Sequence, residues 1–170
     1  RASIDVIGKH LSGILVFKTQ EDSSIRTVFV NEMGVTFFDI SFFAQHYIFN
    51  AIMNSMDKKA VKRSLAKDLG MILMRGIYKE NTAAQQLQSQ AGTANQQKTF
   101  TLKLKRKGSL QYTYNSDREQ YPVIENFGKN KKVISILQFY QQNNSAPDSI
   151  FVQHHTVHFT ISLKQLHVTQ

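Results

Sequence analysis

GILVFKT (13–19), IRTVFVN (25–31), VTFFDISFF (35–43) and HYIFNAIMN (46–54) follow one another with only a few residues between them. Each run is rich in β-branched and aromatic side chains, which fit a pleated, half-buried surface. The polar residues 20–24 join the first two runs as a hairpin. Asn31-Glu32-Met33-Gly34 makes a second tight turn, with Gly34 able to take positive φ. After Ala44-Gln45 the fourth run alternates Tyr47, Phe49 and Ala51 with Ile48, Asn50 and Ile52. Four consecutive strands with short connections make an antiparallel meander.

Working outward, the period changes after residue 56. Val61, Leu65, Leu69, Ile72 and Leu73 fall at i, i+4, i+8, i+11 and i+12, with Asp57 as N-cap and Gly76 as C-cap. Lys58, Lys59, Lys62, Arg63 and Lys67 take the other face. The spacing predicts one amphipathic helix over 57–75, laid on the sheet by its apolar stripe. A helix lying on a lipid surface is the competing reading; the narrow stripe without bulky aromatics favours core packing. Residues 77–98 form a polar, Gln-rich loop with almost nothing to bury. Strands then resume: Phe100, Leu102 and Leu104 alternate with Thr101, Lys103 and Lys105, and Leu110, Tyr112 and Tyr114 follow the Lys107-Gly108 turn. Runs 121–127 and 133–140 come next, then a long closing strand with Val157, Phe159, Ile161 and Leu163 on one side. About nine strands around one helix, without βαβ alternation, give an α+β class with an antiparallel sheet curled around the helix.

The 170 residues, 41% hydrophobic and 19% charged, suit one globular domain over 1–170, and no composition shift divides them. The absence of cysteine excludes disulfides, thiolate metal sites and cysteine nucleophiles. A net charge of +9 invites an anionic partner. The basic residues are spread along the chain, and the groups Lys103-Lys105-Arg106-Lys107 and Lys129-Lys131-Lys132 read as a strand end and a turn. Solvated turns come first, lipid headgroups second, and no nucleic-acid partner is expected. No apolar run reaches the roughly 18–20 residues of a membrane span. The chain opens at Arg1 rather than Met, so an upstream segment is expected.

No nucleophile elbow, phosphate loop or zinc-protease motif is present, and no catalytic set can be named. An enzyme is therefore not expected. Were there chemistry, Glu125 with His154 or His158 would be the first place to look. His154 and His158 fall on one face of a strand, but nothing nearby in sequence completes a metal site, and a solvated face is the simpler reading. No cofactor is expected. Phe37, Phe38, Phe42, Phe43, Tyr47 and Phe49 crowd the meander, so both of its faces need apolar cover. The helix supplies one cover; a loop, a partner or a ligand supplies the other. Met33 places a large apolar side chain at a hairpin tip, where Asn, Asp, Gly or Ser is usual.

The order of elements resembles the LolA/LolB superfamily of bacterial lipoprotein carriers and receptors. Residues 13–43 resemble its opening strands with their Asn–x–apolar–Gly turn, 57–75 its helix, and 151–168 its closing strand. The resemblance implies an open half-barrel, strongly curved around one long helix, with an apolar cavity for acyl chains. It implies Val16, Val28, Val30, Phe37, Leu102 and Phe159 as cavity residues, and Met33 as the contact with a membrane or partner. It further implies a monomer at the periplasmic face of the outer membrane, lipid-anchored upstream of residue 1. The chain departs from the family in its Gln-rich segment and in having no Trp. A structural or protein-interaction module of the envelope, sharing the fold without lipid carriage, is the alternative.

Overall fold

The computed structural model describes residues 1–6, 8–44, 46–74, 97–104, 108–115, 120–129, 131–141 and 146–166, with the backbone alone at 97, 98, 100 and 102–104. The chain groups into two compact units, Arg1–Ser3 with Leu11–Ala83 and Ile4–His10 with Ala84–Gln170. Strand β1 (Ala2–Val6) is divided between them, and the first two residues of the next strand, Lys9 and His10, fall in the second unit.

The first unit is the meander read from the sequence. β2 (Lys9–Thr19), β3 (Ile25–Val30), β4 (Thr36–Phe42) and β5 (Tyr47–Ile52) pair antiparallel, each with the next. Register shifts at Phe29/Val30 and at Asp39/Ile40 mark bulges, which let neighbouring aromatic residues reach one core. Phe29, Phe38 and Ile40 have no exposed surface, and Phe42 and Phe37 are also buried. The rings of Phe37 and Phe38 lie 4.8 and 5.4 Å from that of Phe29.

The helix α1 (Lys59–Ile72) covers this face with Val61, Leu65, Ala66, Leu69 and Met71, all buried. At Gly70 the helix packs over β4, where a Cβ would sit in ordinary contact, 3.9 Å, with the Phe42 ring. The ends differ from expectation. Asp57 is not the N-cap: a 3-10 turn over Asn54–Met56 precedes the helix, Lys58 takes the capping position without a side-chain bond, and Asp57 pairs with Lys62 at 2.5 Å. At the other end Met74 turns to a φ of 53° and its N–H bonds Met71 O. The expected C-cap, Gly76, and loop 77–98 lie outside the described residues, save for 97 and 98, which open a strand.

The second unit is also antiparallel, in the order β11-β10-β9-β8-β7-β6. Its strands are β6 (Gln97–Leu104), β7 (Gly108–Asn115), β8 (Gln120–Phe127), β9 (Lys132–Phe139), β10 (Ser149–His154) and β11 (Phe159–Lys164). Cross-strand pairs Tyr112↔Ile124, Ile124↔Ile136, Ile136↔Val152 and Val152↔Ile161 form one row over five strands. Every member is at most 1% exposed, so a one-residue slip anywhere would turn part of that row to water. The long closing strand of the sequence reading is corrected here. Residues 155–158 are a turn, and β10 and β11 form a hairpin, with Val157 at its exposed tip.

The fold is thus mostly antiparallel sheet, with one α-helix among the described residues. Among the described residues β5 pairs only with β4, and β6 only with β7. Leu65 has no exposed surface at the centre of the α1 stripe. Leu65→Ala is expected to cost about 2–5 kcal/mol through lost contact and a residual cavity. Urea unfolding should show a lower midpoint, and an unchanged midpoint would mean that α1 is not part of the cooperative core.

Candidate apolar binding surface

On the first unit's sheet, the face opposite α1 is set by the alternation of β2 and β3. Ile14 pairs with Val30, Val16 with Val28, and Lys18 with Arg26. These side chains point away from Phe29 and Leu15, since successive residues of a strand face opposite sides. Val28 and Val30 are half-buried, while Ile14 and Val16 remain 39% and 48% exposed. Four aliphatic side chains therefore form a contiguous patch open to solvent.

Charge borders the patch on the β4 side. Val28 stands opposite Asp39, and Arg26 opposite Ser41. Arg26 Nε donates to both Asp39 oxygens at 3.1 Å, and Nη2 to Oδ2 at 2.5 Å. Asn50 Nδ2 donates to Asp39 Oδ1 at 2.9 Å and to Ser41 Oγ at 2.8 Å. The Arg26 guanidinium, helped by Asn50, holds the Asp39 carboxyl below its ordinary range against the opposing effect of burial. So satisfied a carboxylate makes a poor proton acceptor; its part is to hold β3, β4 and β5 together beside the patch.

The Met33 tip is held by its own turn. Asn31 Oδ1 accepts from the N–H groups of Met33 at 3.0 Å and Val35 at 2.8 Å, while Gly34 takes a φ of 83° and donates to Asn31 O. This Asx geometry fixes the loop and leaves Met33 86% exposed.

Of the residues named from the sequence, Val16, Val28 and Val30 come together on this face. Phe37 lies on the other face of the same sheet, against Phe29. Phe159 belongs to the second unit, its ring 4.8 Å from that of His154. Leu102 pairs with Leu110 through β6, and its side chain lies outside the described residues. The sequence reading missed Ile14 and the Arg26–Asp39–Asn50–Ser41 network. A charge inside each of two adjacent apolar runs, Arg26 and Asp39, was the available signal.

The second unit has an open cavity of about 350 Å³ lined by Asp5, Lys9, His10, His158 and Thr160 among others. His10 Nδ1 donates to Asp5 Oδ1 at 2.6 Å and Thr160 Oγ1 to Oδ2 at 3.2 Å. The hydrogen bond from His10 holds Asp5 below its ordinary value. His154 and His158 do not share a strand face: the first stacks edge-on against Phe159, and the second sits in the turn. Glu125 pairs with Lys132 and faces the side opposite His154, and His155 Nε2 lies 3.0 Å from Ser135 Oγ. Among the described residues no three His, Cys, Asp or Glu side chains gather as metal ligands, and no helix is long and apolar enough to cross a membrane.

Compared with protein-family models, curated proteins and solved structures, the chain matches none of them.

The Arg26–Asp39 pair carries a pH signature. Because the folded-state value of Asp39 is depressed, its stabilisation is complete above the ordinary carboxylate value of about 4 and is lost as pH falls through the folded value. Asp39→Ala should cost about 1–3 kcal/mol at neutral pH, and the loss of stability on acidification should be shallower than in the wild type. Urea midpoints measured from neutral pH downward check both. Parallel acid limbs would show that Asp39 titrates as a free carboxyl.

Proposed function

We propose that this chain is a non-catalytic domain of the cell envelope that binds acyl chains or another apolar ligand. The observation that carries the reading is the solvent-open cluster of Ile14, Val16, Val28 and Val30 on a sheet whose other face is already filled. Covering such side chains gives about 25 cal/mol for each Å² removed from water, and a non-directional gain of that kind suits a chemically plain alkyl chain. The LolA/LolB-like order of elements supports the finer form of the reading, a strongly curved open half-barrel that handles lipoproteins at the periplasmic face of the outer membrane. In that form the domain is a lipid-anchored monomer, and Met33 is the residue that touches a membrane or partner.

Titration with a fluorescent fatty acid tests this. The wild type should bind it, and Val16→Glu/Val28→Glu should weaken binding by about 10-fold or more, because a buried charge opposes an alkyl chain. A wild type that binds no probe, or a variant that binds equally well, would overturn the reading.

The openness of the patch favours a second reading, a protein-interaction module of the envelope. Val16 is 48% exposed rather than enclosed, which suits a partner's surface. Met33→Asp separates the two. Retained fatty-acid binding with loss of a co-purifying partner would favour the module; weakened lipid transfer with no partner lost would favour the carrier.

A further inference from the structure

Two distant stretches of chain build the open cavity of the second unit. The passage from β1 into β2 brings Asp5, Lys9 and His10, and the turn into β11 brings His158 and Thr160. Thr160 Oγ1 donates to Asp5 Oδ2 across 155 positions of sequence and ties the two stretches together. His10 Nδ1 donates to the other oxygen of Asp5 at 2.6 Å. Both oxygens of the one acid in the lining are therefore engaged within the cavity wall. Lys9 and His158 differ, since neither side chain has a hydrogen-bond or ion-pair partner among the described residues. Gly8 turns at a φ of 71°, and a Cβ there would meet no atom within 4 Å, so the backbone leaves the space open. Val6 and Phe159 are the buried, apolar members of the lining.

We infer that this cavity binds the phosphoryl group of a small phosphomonoester, held by Lys9 and His158. Two unengaged basic side chains beside an acid that is already bonded twice select an anion. Lys9 carries a compact ammonium with three donors, and His158 a ring N–H, which suit the oxygens of a tetrahedral phosphoryl group as point contacts. No arginine lines the cavity, so the planar fork that grips a carboxylate through two parallel bonds is missing. Val6 and Phe159 offer apolar contact to the organic part of the ester. His10 is not counted among the donors: it stays with Asp5 and offsets that carboxylate. The volume of about 350 Å³ lies near the lower end of the range that small-molecule sites use, about 300–1,000 Å³. A soluble phosphomonoester and the headgroup of phosphatidic acid share this chemistry. The inference draws on the second unit alone and does not rest on the aliphatic patch of the first.

Isothermal titration of the full chain with glycerol 3-phosphate and with short-chain phosphatidic acid tests it. The wild type should bind at least one of them, and should bind acetate about 10-fold more weakly or less. Tighter binding of glycerol 3-phosphate supports a soluble ligand, and tighter binding of phosphatidic acid supports a lipid headgroup. Lys9→Gln/His158→Gln should weaken binding by about 10-fold or more, as expected when a charge-assisted hydrogen bond is removed, with an unchanged urea midpoint. Lys9→Arg keeps the charge and should bind as the wild type does. Lys131→Gln removes a charge from another turn of the same unit and should change nothing. In the wild type, the ring resonances of His158 should shift on adding glycerol 3-phosphate, whatever the fate of the variants. Binding of neither phosphate, equal binding of acetate, an unmoved His158 ring, or a double variant that binds like the wild type would overturn the inference. So would a loss in Lys131→Gln as large as that in the double variant. Val16→Glu/Val28→Glu should lose the fatty acid and keep the phosphate; loss of the phosphate there would place the ligand on the patch and overturn the cavity site. A wild type that binds phosphate but no fatty acid would keep the cavity site and remove the acyl-chain reading alone.

Discussion

β3 is the strand on which the first unit depends, because it is paired on both edges and apolar on both faces. Phe29 on one side is fully buried, and Val28 on the other joins the open aliphatic patch. In a strand with one greasy face, a slip of one residue exposes that face and is resisted. Where both faces are apolar, that resistance weakens and something else must set the register. Here it is Arg26, whose guanidinium meets Asp39 across β3–β4, with Asn50 reaching in from β5. A slip would part these charges at a carboxylate that keeps only 6% of its surface in water. The polar network fixes which of two similar faces turns outward, and so decides where the patch can form.

Much of this was legible in the residues. The four runs before residue 54 became strands within one or two positions, apart from an N-terminal extension of β2 to Lys9, because turn residues and β-branched clusters agreed there. The buried stripe of α1 was legible for the same reason, since Val61, Leu65 and Leu69 leave no other period. The failures came where a local rule met a tertiary one. Asp57 looks like an N-cap, but the chain leaves β5 through a 3-10 turn and the helix begins two residues later. His155 to His158 carry no Gly, Asn or Pro to mark a turn, so the hairpin between β10 and β11 reads as one unbroken strand.

The candidate site was legible only in part, for a reason tied to periodicity. Alternation assigns Val16, Val28 and Val30 to one face, but it cannot say which face is covered. Phe37 escapes alternation because the bulge near Val30 lets it and Phe38 both reach Phe29. The Asn31 turn shows the opposite case, where a purely local device suffices. One side-chain oxygen bonded to two backbone N–H groups, with a glycine at positive φ, fixes the place of Met33 without tertiary help.

An exposed aliphatic patch beside an open sheet edge is a hazard as well as a surface. Among the described residues β5 has a strand partner on one edge only, and its Tyr47 and Ile48 are nearly half exposed. Edges of this kind invite pairing with another chain unless something discourages it. The bulge at Asp39/Ile40 breaks the regularity of the last strand pair, and Lys62 reaches to 6.0 Å above the Phe49 ring. The Lys62–Asp57 ion pair beside this ring sets charged, hydrated groups next to the edge, which makes pairing with another chain less favourable there.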